Sequence, residues 1–302
     1  MAQGLLGIET LDRPEIEAIL NRAKDFQPLQ NCAFKRLDTL RGKMIVNLFF
    51  EASTRTRTSF EIAAKRLGAD TVSITAAGSS VSKGESLVDT LNTLAAMRPD
   101  AIVMRHAASG APHFLARYLP TPIVNAGDGT HEHPTQALLD ARTILDRRPS
   151  LEGLRVAIIG DIAHSRVARS NVYLLSKFAV DIVLCGPPTL LPPELSQIAP
   201  GVRLTYDIRE AIAGADVIMM LRVQLERQHE AAFPASEYFQ YYGLRLEHLC
   251  LAKPEVIVMH PGPINRGREI ASEVADSQRS VILNQVENGV AVRMAVLERI
   301  LS

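Results

Sequence analysis

Short runs of β-branched and aliphatic residues recur along the chain, and between them apolar positions return every three or four residues. In the first half the runs are KMIVNLFF, DTVSIT, AIVMRH and PIVNAG; in the second half they are RVAIIGD, DIVLCG, DVIMML and EVIVMHPG. Each predicts a strand. RTSFEIAAKRLGA has a helical period, with Phe60, Ala63, Ala64 and Leu67 on one face and Gly68 as its stop. TQALLDARTILDRR, residues 135–148, is a second helix, and NGVAVRMAVLERILS is a closing one. Strands separated by helices of this length predict βαβ units and mostly parallel sheets. Around DRRPSLEGLRVAIIGD a helix ends near Arg148, Pro149 and Gly153 punctuate, and a new strand begins. The pattern therefore predicts an α/β fold of two similar domains, each a mostly parallel sheet flanked by helices. The expected division is 1–134, completed by a C-terminal helix 286–302, and 135–285, with the active site in the cleft between the domains.

Composition narrows the function. The 302 residues are 47% apolar and 22% charged, with a formal net charge of zero. That balance speaks against a broad basic face for nucleic acid and leaves room for a local cationic pocket. No apolar run approaches the roughly 20 residues a membrane span needs. The start MAQGLLGIETLDRPEIEAIL lacks a basic region followed by an apolar core, so no secretion signal is expected. Cys32, Cys185 and Cys250 are odd in number and widely spaced, which predicts free thiols in a reducing compartment, the cytoplasm.

The candidate chemistry lies where strands end. After MIVNLFF comes FFEASTRTRTSF, with Ser53, Thr54, Arg55, Thr56 and Arg57 at the entry to a helix starting near Arg57. Helix N-termini favour anions, and hydroxyls and guanidinium forks suit phosphate oxygens. A plain helix cap would use one hydroxyl, not several with two arginines. No glycine-rich loop is present, so a small anion fits better than a polyphosphate. Arg105 and His106 end AIVMRH, a weak signal alone. NAGDGTHEHPTQALLD turns at Gly127, Asp128 and Gly129, then gathers His131, His133 and Gln136 around Pro134. His-x-His offers no nearby third His or Cys ligand, so no metal is expected; His133 either packs at a joint or points at a polarised carbonyl. IIGDIAHSRVARSN lacks G-x-G-x-x-G and so disfavours a dinucleotide; its Arg166 and Arg169 suit carboxylate. Arg222, Gln224 and Arg227 follow another strand, and His260 with Pro261, Gly262 and Pro263 a further one, where a stiff turn turns carbonyls toward a ligand or simply connects. Arginines divided between two sheets point to two anionic substrates, with catalysis by positioning and charge stabilisation and no cofactor.

In order along nearly the whole chain, STRTRTSFE, SSVSKGES, MRH, HPTQALLD, GDIAHSR, RVQLER and HPGP resemble the motifs of the aspartate/ornithine carbamoyltransferase family, in its aspartate branch. The resemblance implies that Ser53, Thr54, Arg55 and Thr56 hold the phosphate of carbamoyl phosphate. It implies that Thr56, Arg105 and His133 contact the carbamoyl oxygen, and that Gln136 and the carbonyls of Pro261 and Gly262 hold its amino group. Ser79 and Lys83 would come from a neighbouring subunit of a homotrimer, Lys83 reaching the aspartate. Arg166, Arg222 and Gln224 would clamp the carboxylates of L-aspartate. Catalysis would rest on Arg55, Thr56, Arg105 and His133. Glu51 either faces water or pairs with Arg166 or Arg227 when the cleft closes. The family leaves room for a regulatory chain or a dihydroorotase-like partner.

The ornithine branch shows SMG after a strand and HCLP near the end, where this chain has MMLRVQLER and HPGP. Arginines in those places favour an acidic acceptor; ornithine or another amino acid is the alternative. Gly262 stands where some members carry leucine, which leaves a backbone carbonyl available.

Overall fold

The computed structural model describes residues 4–75, 86–223 and 235–302. The chain divides into two compact units, Met1–Arg142 with Glu287–Ser302, and Thr143–Val286. The division falls inside the helix Pro134–Leu145, and the last helix, Ile282–Leu301, passes back into the first unit.

The first unit holds β1 (Met44–Phe49), β2 (Asp70–Thr75), β3 (Ala101–His106) and β4 (Ile123–Asp128), all parallel in the order β2-β1-β3-β4. Ile45, Leu48, Ile102, Met104 and Val124 are fully buried, whereas β2, at the sheet edge, stays largely exposed. The helix after β1 is Thr54–Arg66, so it starts at Thr54 and not near Arg57. Ser53 is extended and makes no side-chain cap hydrogen bond, which takes the polar run into the first helical turn itself. Phe60, Ala63, Ala64 and Leu67 are buried as their spacing predicts. Gly68 follows at φ +86°, and a Cβ there would lie 2.7 Å from the Leu37 carbonyl oxygen, so this stop needs glycine.

The chain's end completes this unit. The Arg293 guanidinium donates to Ser59 Oγ at 2.7 Å and to the Gly289 carbonyl at 3.0 Å, and lies 5.1 Å from the Phe60 ring centroid. Arg22 forks onto Glu298 at 2.6 and 2.8 Å, joining the last helix to Arg13–Phe26. Burial pulls the Arg293 guanidinium down to about 10.

The second unit holds β5 (Arg155–Ile159), β6 (Asp181–Cys185), β7 (Arg203–Thr205), β8 (Val217–Met220) and β9 (Ile257–Met259), parallel in the order β7-β6-β5-β8-β9. Ile159, Val183, Ile218, Met220, Tyr238 and Val258 lie in its core. The three cysteines are free, and burial raises the Cys185 thiol to about 12. Among the described residues no helix is long and apolar enough to cross a membrane.

Candidate active site

A parallel sheet opens a crevice where its strand order reverses, because the loops leaving the two adjoining strands diverge. In the first unit that point lies between β1 and β3. Register sets Phe49 beside Arg105, and the Phe50 N–H donates to the Arg105 carbonyl at 2.9 Å. The Arg105 guanidinium donates to Glu51 Oε1 at 2.6 Å and more weakly to the Ala126 carbonyl at 3.4 Å. Glu51 is thus not simply a solvated carboxylate but a partner of Arg105; Arg227 lies outside the described residues. On the same edge the helix Thr54–Arg66 begins. Ser53 is half-buried, Thr54 and Arg55 are exposed, and Thr56 is buried in the first turn. Arg57 turns to Glu61 at 3.7 Å instead.

The exit of β4 supplies the next group. Asp128 is fully buried: Oδ1 accepts from Asn125 Nδ2 at 2.8 Å and the Glu132 N–H at 3.1 Å. Its Oδ2 accepts from the Gly110 N–H at 2.6 Å and faces His131 Nδ1 at 3.1 Å. Hydrogen bonding to Asp128 raises the pKa of His131 above its ordinary value. Burial pushes Asp128 upward, but His131, Asn125 and Gly110 outweigh it and leave this carboxyl below the usual range. Gly129 sits at φ +46°, and a Cβ would come 2.3 Å from Ser109 Oγ, so only glycine makes this turn. The turn delivers His133, buried, to the start of the helix Pro134–Leu145, where its carbonyl accepts the Gln136 N–H at 2.9 Å. Gln136 is also buried and its amide donates to Asp140 Oδ1 at 2.9 Å, which fixes the amide plane.

In the second unit the order reverses between β5 and β8. Gly160, at φ +144°, ends β5; a Cβ would lie 2.8 Å from both Leu221 Cβ and the Leu221 carbonyl oxygen. The close approach brings two arginine-bearing exits together. Ser165 caps the helix Arg166–Ser176 by accepting from the Ala168 N–H at 3.1 Å. Arg166 is therefore the first helical residue, buried, and Arg222, half-buried, follows β8. Asp161 is fully buried against His164 Nδ1 at 2.8 Å, which occupies the place a dinucleotide loop would give to glycine. After β9, His260 Nδ1 accepts from the Gly262 N–H at 2.8 Å, so its proton sits on Nε2, which faces Glu269 Oε1 at 3.2 Å. The same Glu269 oxygen accepts from the Asn265 N–H at 2.6 Å. These bonds hold the Pro261–Gly262 turn.

Each unit thus places its predicted residues at one sheet edge: Ser53, Thr54, Arg55, Thr56, Arg105, His133 and Gln136 in the first; Arg166, Arg222, Pro261 and Gly262 in the second. Ser79, Lys83 and Gln224 lie outside the described residues. Asp140 and Glu269, which orient two of these groups, escaped the sequence reading. For Asp140 a signal existed, an acid four residues after Gln136 on one helix face; for Glu269 none did.

Comparison with known proteins gives two consecutive domain matches. Residues 3–146 match the family model for the aspartate/ornithine carbamoyltransferase carbamoyl-P binding domain, and residues 152–300 the Asp/Orn binding domain. The second match runs through the last helix, which by its packing lies in the first unit. The aspartate carbamoyltransferase catalytic subunit of Solibacter usitatus is 83% identical over 301 residues, covering 100% of both chains. That of Syntrophotalea carbinolica is 57% identical, covering 97% of this chain and 93% of its own. The crystal structure of Trypanosoma cruzi aspartate transcarbamoylase with carbamoyl aspartate and phosphate superposes with a TM-score of 0.91 at 33% identity, covering 100% of this chain and 96% of that one. Two domain models over nearly the whole length, and relatives of this identity, leave one conclusion: the chain belongs to the aspartate/ornithine carbamoyltransferase family.

Proposed function

We propose that this chain transfers the carbamoyl group of carbamoyl phosphate to the amino group of L-aspartate, giving N-carbamoyl-L-aspartate and phosphate for de novo pyrimidine synthesis. Its relatives at 83% and 57% identity bear that activity in their names. Among the geometric observations one carries the choice of acceptor: Arg166, buried at a helix start, and Arg222 flank the order reversal between β5 and β8. A buried guanidinium at a ligand crevice suits a carboxylate and repels the side-chain cation of ornithine.

Ser53, Thr54, Arg55 and Thr56 hold the phosphate at the start of the helix Thr54–Arg66, where unpaired N–H groups and the helix dipole favour negative charge. Thr56, Arg105 and His133 direct donors at the carbamoyl oxygen. Gln136 and the carbonyls of Pro261 and Gly262 hold the carbamoyl amino group. Arg166, Arg222 and Gln224 hold the two carboxylates of aspartate. The neutral α-amino group attacks the carbamoyl carbon, a tetrahedral oxyanion forms, and the C–O bond to phosphate breaks. The phosphate leaves into the Ser53–Thr56 cradle, and one of its oxygens takes the amine proton. His133 acts as a hydrogen-bond donor, not a base, and one such donor contributes about 3 kcal/mol to lowering the barrier. Ser79 and Lys83 reach the site from the next copy of the chain in a homotrimer, which a regulatory chain or a dihydroorotase-like partner joins in some assemblies of this kind. The setting is the cytoplasm.

The test is acceptor choice. Purified protein with carbamoyl phosphate should form carbamoyl-aspartate in a colorimetric ureido assay and form citrulline from ornithine at least about a thousandfold more slowly, the discrimination expected where the wrong ligand leaves buried charge unpaired. Comparable rates with ornithine would overturn the assignment of Arg166 and Arg222.

A further inference from the structure

We propose that His113, Asp128 and His131 form a binding site for a first-row divalent cation, with Zn2+ the ion they suit best. Each offers one ligand atom, and the three atoms lie within 4.8 Å of one another. Donors around a shared tetrahedral Zn2+ stand about 3.4 Å apart, so closure needs a shift of about 1 Å, within reach of ring rotation by two half-buried imidazoles. Two imidazoles and one carboxylate, with no thiolate, form an open donor set in which water takes the fourth position.

The carboxylate is already fixed. Three hydrogen bonds, from Asn125 Nδ2 and the N–H groups of Glu132 and Gly110, hold the fully buried Asp128. Outer bonds of this kind set a ligating carboxylate before the ion arrives. Gly110 starts the short helix Ala111–Leu115 that carries His113, so the same bond ties that helix to Asp128. The His113 and His131 rings meet edge to face with centroids 5.2 Å apart. His113 Nδ1 is buried with no hydrogen-bond partner, a state that a bound ion, or a ring rearrangement around one, would relieve.

The spacing of His131 and His133 offers only two imidazoles; the fold brings His113 from another segment and uses Asp128 of the turn. A second group, Glu9, His131 and Glu132, shares His131. There the Glu132 carboxylate already accepts from the N–H groups of Ile8 and Glu9, and Glu9 is exposed. The ion therefore belongs to the His113 group, where it would pin the short helix and the end of β4 to the turn before His133.

The experiment titrates Zn2+ into the chelator-stripped full-length protein against a chromophoric chelator. One ion per chain should bind in about the micromolar range, and His113→Ala and His131→Ala should each weaken it at least about a hundredfold. Glu9→Gln should leave it unchanged. Circular dichroism verifies that each variant is folded, with His113→Gln replacing an unfolded alanine variant. X-ray absorption on the one-to-one complex should show nitrogen and oxygen neighbours only. Absence of binding below about 100 µM, affinity indifferent to both histidine variants, a tenfold loss with Glu9→Gln, or sulfur scattering from exposed Cys32 or Cys250 would each overturn the proposal.

Discussion

Arg105, in the catalytic role proposed for it, shows how a single side chain is set in place by its neighbours. Its guanidinium is anchored by Glu51 at 2.6 Å, with 11% and 25% of the two side chains exposed. A pair this sheltered fixes direction more than it adds stability, since much of its Coulomb attraction offsets desolvation. Glu51→Gln keeps the shape, removes the charge and turns one N–H toward the guanidinium donors. Displacing Arg105 by about an ångström should lower kcat about a hundredfold, while the urea midpoint changes little because the site is partly solvated. Steady-state kinetics with both substrates measures this; an unchanged kcat would show that Arg105 is positioned by other partners. At the residue scale the sequence singles out Arg105 because it ends a strand, and Ser53–Thr56 because the polar run is dense. For Glu51 it offers water, Arg166 and Arg227 and misses Arg105, because that pairing depends on the register of β1 against β3, which no local pattern encodes.

At the scale of elements, the exits of β5 and β8 depend on one glycine. Gly160 combines φ +144° with the two 2.8 Å approaches to Leu221, and neither can relax without moving the strand end that precedes Arg222. Gly160→Ala should destabilise the second unit by about 1–3 kcal/mol from the backbone alone. It should also raise the KM for aspartate more than that for carbamoyl phosphate. Urea unfolding and two-substrate kinetics separate these effects; equal changes in both KM values would mean the strain spreads beyond this edge. Eight of the strands were legible: seven because their apolar runs are buried on forming parallel sheets, and the largely exposed β2 through its β-branched residues. β7 was not, since RLT is three residues long and only Thr205 is buried. Arg13–Phe26 was also not marked as a helix, although Asp12 and Glu15 form a capping box there; that stretch was weighed only as a leader. The helix after β1 was placed too late because Thr54, Arg55 and Thr56 look like loop, yet they form its first turn.

For the whole molecule the decisive question is whether one chain suffices. In the proposed trimer Ser53, Thr54, Arg55 and Thr56 form one chain's phosphate cradle, and Lys83 reaches it from the next copy. Arg55→Ala removes a phosphate ligand and Lys83→Ala removes the lent cation, so each variant alone should be almost inactive while remaining folded. In a cyclic trimer every site joins two neighbours. Mixing the two variants under conditions that exchange subunits therefore builds some sites from the intact halves of both chains. With equal amounts and random assembly, about a quarter of sites are wild-type in composition, and activity should recover to about a quarter of normal. Sedimentation of the mixture should show a single trimeric species, and no recovery should occur when exchange is blocked. If the mixture stays inactive after demonstrated exchange, Lys83 serves its own chain and the shared-site arrangement fails. If the Lys83 variant is active from the start, the lent lysine has no part in the chemistry, and Arg166, Arg222 and Gln224 must hold the acceptor alone.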